Sequence, residues 1–176
     1  MMAPERLDGW LADPALRVFH RRGSQADPDR LWAAARGVRI ADAQLLGRLV
    51  RWRIPGTPAE LTFDELFRRP PFLVLEQDDR SLLAGLVGRI WTLRRDYPEL
   101  QDPEEFRRWS TAGTARVLFA SWVEEDSTLC SEVRVEAFGR QGRVGVATVR
   151  PLVRAFQHVI GTDGITAAVR QAEAGL

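Results

Sequence analysis

Two adjacent runs of alternating apolar and polar residues constrain the fold more than any other feature of the chain. The runs cover residues 114–123 and 128–138, and the turn-like segment 124–127 separates them. Because successive side chains of a strand point to opposite faces, this pattern predicts an antiparallel hairpin with one buried face. A chain with such a hairpin needs further elements to cover that face.

The two faces of the second run differ in chemistry. One face carries Leu129, Ser131, Val133, Val135 and Ala137, and the other carries Thr128, Cys130, Glu132, Arg134 and Glu136. An apolar face against a core and a polar face toward water is the usual pattern of an antiparallel sheet. We therefore expect the Glu132 face to be solvated. The alternative is a buried ion pair that faces a ligand.

The period of the sequence changes from two to about 3.6 after the hairpin. From about residue 143 to the end, apolar residues recur at steps of three and four. This spacing predicts a long amphipathic closing helix. Pro151 and the glycines of 161–164 predict a kink or a break within it.

The earlier part of the chain mixes strands with short helices. The predicted strands cover 16–22, 72–77 and 81–92, and the predicted helices cover 27–36, 41–53, 62–67 and 102–109. Asp27 and Asp102 each precede a proline, and aspartate is a favoured residue at a helix N-cap. Gly85 and Gly88 predict a bulge or a bend in the third strand. The whole order predicts an α+β fold.

Length and charge bound the class of protein. A chain of 176 residues, 45% of them hydrophobic, suffices for one domain, which we place at residues 16–176 after an N-terminal extension of residues 1–15. We expect the N-terminal dozen residues to be flexible. The 25 basic residues are all arginine and are nearly balanced by 24 acidic residues, which argues against a nucleic-acid partner. A single cysteine, no recognisable secretory signal and no apolar run of membrane-spanning length predict a cytoplasmic protein.

Three short segments, taken in order, carry a resemblance to a known superfamily. They are Phe19–Trp32 with its DPDRLW sequence, the strand Ser131–Val135 and the helix end Ala172–Glu173. Together with the element order, they resemble the START-like or SRPBCC superfamily of polyketide cyclases and lipid-transport proteins over about residues 16–174. The resemblance implies a helix-grip fold, in which a curved antiparallel sheet wraps around a long C-terminal helix, with two short helices after the first strand. Residues 96–109 look inserted.

The resemblance also implies an elongated cavity between the sheet and the closing helix, which in the superfamily holds lipids, sterols, polyketides or other apolar molecules. Aromatic residues on segments that would surround the cavity, with one arginine, are the candidate ligand-binding residues. They are Trp52, Phe72, Trp91, Phe119, Trp122, Phe156 and Arg116. The alternative for the aromatic residues is ordinary core packing.

Few side chains are candidates for catalysis. His20, Glu76 and Arg134 could assist proton movement in a cavity of this kind. His158, on the closing helix, either does the same or simply marks the edge of the helix. Two histidines without cysteine or carboxylate partners at metal-ligand spacing predict no metal site. No nucleotide, phosphate or hydrolase motif occurs, so no cofactor is expected.

Three functions remain open. The favoured one is binding or transport of an apolar small molecule by a monomer or homodimer. The second is an enzyme of the polyketide cyclase, aromatase or dehydratase type that uses the same cavity. The third is a structural or partner-binding domain whose cavity is filled by its own side chains. A titratable group beside open volume would favour the enzyme, and a closely packed interior would favour the third function.

Overall fold

The computed structural model contains the predicted elements in the predicted order, and it describes residues 4–54, 56–92 and 97–174. The strands are β1 (Leu16–Gly23), β2 (Leu73–Asp78), β3 (Ser81–Gly88), β4 (Ala115–Val123) and β5 (Thr128–Ala137). The helices are α1 (Pro4–Asp8), α2 (Pro28–Gly37), α3 (Gln44–Arg53), α4 (Phe63–Phe67), α5 (Pro103–Arg108) and α6 (Gly139–Glu173), and a 3-10 turn covers Ile40–Asp42.

The five strands form one antiparallel sheet in the order β1-β5-β4-β3-β2. A two-residue turn between Asp78 and Ser81 joins β2 to β3. The turn between β4 and β5 includes Ser127, whose φ of 58° lies in the left-handed region. The α+β class and the antiparallel hairpin that the alternation predicts are confirmed.

One face of the sheet, which we call the inner face, carries Leu129 and Val135 and packs against α2 and α6. Helix α2 begins where the sequence predicts, because Asp27 accepts a hydrogen bond at 3.0 Å from the backbone N–H three residues later. A cap of this type contributes about 1 kcal/mol to helix stability. The helix buries Leu31 and Trp32 against this face and α6.

Helix α6 runs without interruption from Gly139 to Glu173. The prediction of a break near Pro151 and residues 161–164 is therefore wrong. Helix continuity is set mainly by tertiary packing of an apolar stripe, and the C-terminal part of α6 supplies such a stripe. The buried residues there are Ile165, Ala168, Val169 and Ala172. Within the described ranges, no helix is both long and apolar enough to cross a bilayer.

The opposite face of the sheet, which we call the outer face, is also covered. Residues 4–11, Leu100 and α5 pack on it. They contribute Leu7, Trp10, Leu11, Leu100 and Phe106 to a buried cluster with Leu83, Leu118 and Trp122 of the strands. The expectation that the Glu132 face is solvated is wrong, and the described part of the N-terminal dozen, which we expected to be flexible, packs on the sheet. The apolar outer-face residues of β3 and β4 require cover, and the N-terminal segment and α5 provide it.

Gly85 allows α5 to approach the sheet closely. A Cβ atom at this position would lie 2.6 Å from Cδ2 of Phe106, well inside van der Waals contact. The register shift that we expected in β3 lies instead in β2, between Val74 and Glu76. The glycine thus marks a close approach of a helix and not a bulge.

Candidate functional site

A cavity of about 480 Å³ lies between the inner face of the sheet and the helices. Its described walls come from β1, β3, β4 and β5, from α2, α3 and α4, and from α6. This volume falls within the range of small-molecule binding sites, about 300–1,000 Å³.

The floor of the cavity is built from rows of residues that face each other across neighbouring strands. One row is Leu16, Val135, Val117 and Leu86, and the next row is Val18, Val133, Phe119 and Ala84. Directly opposed residues share a face of the sheet, and all of these residues except the buried Ala84 line the cavity. Val133 and Phe119 are half-buried because they border open volume.

The third row of the floor is polar. His20 of β1 faces Ser131 of β5, and Ser131 faces Ser121 of β4. All three line the cavity and are half-buried. Within the described part of the chain, neither serine hydroxyl has a hydrogen-bond partner. The cavity therefore offers one hydrogen-bonding stripe on an apolar floor.

Three phenylalanines form the aromatic part of the wall. The ring centroids of Phe67 and Phe72 lie 5.2 Å apart at 86°, and each ring lies 5.5 Å from that of Phe119. Edge-to-face and tilted arrangements at these distances are the favoured geometry of aromatic pairs. Helix α4 and the start of β2 are thus joined to the centre of the sheet through aromatic contacts.

The charged groups that line the cavity neutralise each other. Arg36 of α2 donates hydrogen bonds to Asp64 of α4 at 3.2 and 3.4 Å, and Arg68 also donates to Asp64, at 3.0 Å. Burial raises the pKa of Asp64, but the hydrogen bonds from Arg68 and Arg36 outweigh it, so that the pKa lies below its usual value. Asp64 is therefore ionised at neutral pH and compensates the arginines.

Three of the predicted site residues line the cavity, namely His20, Phe72 and Phe119. Four others lie on the outer face, and the prediction that they face a ligand cavity is wrong. These are Glu76, Arg116, Trp122 and Arg134. The alternating pattern predicts that the outer face is exposed to solvent. The N-terminal segment and α5 instead cover this face, so its charged residues pair with those segments.

Arg134 and Glu132 form a buried ion pair that fastens the N-terminal segment. Arg134 Nε donates to Glu132 Oε1 at 2.6 Å, and its Nη1 donates to Asp8 Oδ1 at 2.5 Å and to the Leu11 carbonyl at 2.8 Å. Both side chains of the pair are almost fully buried, at 3% and 2% exposure. Arg17 adds a bidentate contact to Glu132 at 2.7 and 2.9 Å. Neither residue lines the cavity on the inner face, and the pair has a structural role.

Arg116 and Glu76 are anchors of the same kind. Arg116 donates to the carbonyls of Phe106 and Arg107, at 3.1 and 2.7 Å, and so holds the end of α5. Glu76 accepts a hydrogen bond from the Trp10 indole at 3.0 Å and pairs with Arg6. Glu76, Arg116 and Arg134 therefore hold the N-terminal segment and α5 against the outer face.

The remaining predicted aromatic residues lie at other places. Trp91 packs beside Gly145 of α6 at the end of the sheet. Trp52 is exposed on α3, and Trp122 stacks on Phe19 with ring centroids 6.0 Å apart. The side chains of Phe156 and His158 lie outside the described residues.

Cys130 is buried in the outer-face cluster beside Trp122. Burial, followed by the nearby charge of Glu124, raises the pKa of its thiol to about 12. The thiol is therefore protonated at neutral pH and is a poor nucleophile. Across the described ranges, no three histidine, cysteine or acidic side chains group as metal ligands.

Several cavity residues were missed by the sequence analysis. Ser121 and Ser131 lie on the face that it treated as core, and Phe67 and Tyr97 lie in segments outside the predicted hairpins. The signal for the serines was present: both interrupt an apolar face at the same level of paired strands. Recognising it requires the register of β1, β4 and β5, which a single sequence does not fix.

Comparisons with family models, curated proteins and solved structures found no match. The geometry of the cavity is therefore the basis for assigning a function.

Proposed function

We propose that this chain is a START-like protein with a helix-grip fold that binds or carries a hydrophobic small molecule in the cavity between the sheet and α6. The sheet order, the long C-terminal helix and the two helices after β1 are compatible with that fold. The proposal retains a cytoplasmic location, for which a single cysteine is the argument.

The observation that carries the proposal is the apolar cavity of about 480 Å³ on the inner face. Natural interiors pack to a density near that of organic crystals, and voids larger than a water molecule are few. An open volume of this size over two apolar rows lowers stability unless something occupies it. A domain with a closely packed interior would not contain it.

Filling the cavity is expected to abolish binding. Val133 lies at the centre of the apolar floor, so Val133→Trp places an indole in the open volume. We expect 2-naphthol, a neutral bicyclic probe, to bind the wild type with a Kd in the micromolar range or above and to raise its Tm. The variant should lose at least about tenfold in affinity, which corresponds to about 1.4 kcal/mol. Isothermal titration calorimetry and thermal unfolding measure both effects.

The matched control is Phe19→Trp, which adds bulk to the outer face of β1, where Phe19 is 43% exposed. This variant should bind the probe like the wild type. Far-ultraviolet circular dichroism and urea unfolding establish that both variants are folded. Equal binding by wild type and Val133→Trp, or no binding of any apolar probe by the wild type, would contradict the proposed function.

A second function, that of an enzyme of the cyclase or dehydratase type, is favoured by one observation. His20 is titratable and lines the cavity beside open volume, and a positioned histidine is the commonest general acid or base. In that case His20→Gln should reduce turnover of a polyketide-like substrate by about 10²-fold or more while leaving probe binding within about threefold. Unchanged turnover would remove His20 from this role.

A further inference from the structure

The hydrogen-bonding stripe on the cavity floor bears on the chemistry of the ligand. His20, Ser131 and Ser121 form one row across β1, β5 and β4, and the neighbouring row toward the cavity interior is Val18, Val133 and Phe119. Two residues along a strand span about 7 Å. A molecule lying across both rows would place a polar group about 7 Å from the centre of its apolar body.

The two serines lack hydrogen-bond partners among the described residues. Both hydroxyls are half-buried and border the cavity, so a bound molecule can reach them, and a serine hydroxyl can both donate and accept a hydrogen bond. Two such hydroxyls at the same level of paired strands border the open volume. A ligand atom that exchanges hydrogen bonds with both would satisfy them.

The charges around the cavity argue against a carboxylate ligand. The described charged residues of the lining are Arg36 and Asp64, and they pair with each other. Arg22 lies one row beyond the serines on β1, where its Nη1 donates to Thr166 Oγ1 at 2.7 Å. Among the described lining residues, the arginine is already paired with Asp64, so a carboxylate on the serine stripe would lose hydration without an unpaired arginine of the lining to compensate it.

We propose that Ser121 and Ser131 bind the polar end of a neutral amphiphile, a hydroxyl or ketone carried by an apolar ring system or chain whose body lies on the row of Val18, Val133 and Phe119. A serine hydroxyl both donates and accepts, so either group satisfies it. This inference rests on the proposed function of the cavity, because it specifies the ligand that the cavity takes.

Three probes with one ring system test the inference. Naphthalene, 2-naphthol and 2-naphthoate at pH 7 present the same bicyclic body with no polar group, a neutral hydroxyl and an anion. We expect 2-naphthol to bind about threefold to tenfold more tightly than naphthalene, the gain of one net hydrogen bond. The anion should bind more weakly than 2-naphthol. Competition against a fluorescent apolar dye measures all three affinities.

Serine variants locate the polar end. Ser121→Ala/Ser131→Ala should lower the affinity for 2-naphthol to that for naphthalene, while naphthalene binds as it does to the wild type. The control variant Ser131→Thr keeps the hydroxyl on a β-branched residue suited to a strand. It should retain at least half of the preference for 2-naphthol.

The outcomes separate the two proposals. If naphthalene and 2-naphthol bind equally well, or if 2-naphthoate binds most tightly, the cavity binds apolar molecules and the inference about the polar end is overturned. If the double alanine variant keeps the full preference for 2-naphthol, the serines are not the partners and the inference is also overturned. If none of the three probes binds, the proposed function fails together with it.

Discussion

Replacing Arg134 by methionine is expected to lower the free energy of unfolding by about 3–5 kcal/mol. Arg134 and Glu132 are both almost fully buried, and the arginine also holds Asp8 and the Leu11 carbonyl. The substitution leaves the Glu132 carboxylate buried with only the half-exposed Arg17 as a cationic partner. Urea unfolding monitored by tryptophan fluorescence measures the loss.

Two further variants separate this effect from a general loss of charge. Arg21 is exposed and lies 3.5 Å from Glu124, so Arg21→Met should cost less than about 1 kcal/mol. Glu132→Leu/Arg134→Met removes both members of the buried pair and should recover part of the loss. If Arg134→Met costs no more than Arg21→Met, the buried pair does not fasten the N-terminal segment.

Replacing Phe106 by alanine is expected to cost about 3–5 kcal/mol as well. Phe106 is fully buried between α5 and the outer face, its ring lies 6.4 Å from that of Trp10, and it contacts the sheet over Gly85. The change leaves a cavity beneath α5 and the N-terminal segment. Chemical denaturation again provides the measurement, with the exposed change Val144→Ala as the control, which should stay within about 0.5 kcal/mol.

A double-mutant cycle of Gly85 and Phe106 tests whether these two residues contact each other. Gly85→Ala alone should destabilise by about 1–3 kcal/mol, because the added Cβ would lie 2.6 Å from Phe106 Cδ2. In the Phe106→Ala background the same methyl group enters the vacated space. The double variant should therefore be more stable than the sum of the single changes predicts. Additivity within about 0.5 kcal/mol would mean that the two residues do not contact each other.

Local signals in the sequence identified most elements of the fold. Alternation in β4 and β5 and the aspartate–proline starts of α2 and α5 correspond to real strands and helix caps. Sequence reasoning failed where packing partners far apart in the chain decide the structure. The polar residues of the Glu132 face predict a solvated surface, but residues 4–11 cover this face, and no local pattern in β5 indicates that contact. Helix α6 continues through Pro151 and the glycines of 161–164 because it packs on α2 and the sheet.

The candidate site was predictable to a smaller extent. His20, Phe72 and Phe119 could be found because they lie on segments that surround the cavity. Arg116 was predicted to bind a ligand and Arg134 to assist catalysis because of their chemistry, but they bind the end of α5 and the N-terminal segment. Which face of the sheet borders the open volume depends on what covers the other face, and no local pattern specifies that.

Nuclear magnetic resonance of methyl-labelled protein titrated with 2-naphthol tests the central claim most directly. The methyl groups of Val18, Val117 and Val133 border the cavity, whereas those of Leu7, Leu11 and Leu118 lie in the outer-face cluster. The account predicts saturable chemical-shift changes at the valines of the inner face and none at the outer-face leucines. Changes at the outer-face leucines alone, or no changes at either set, would contradict it.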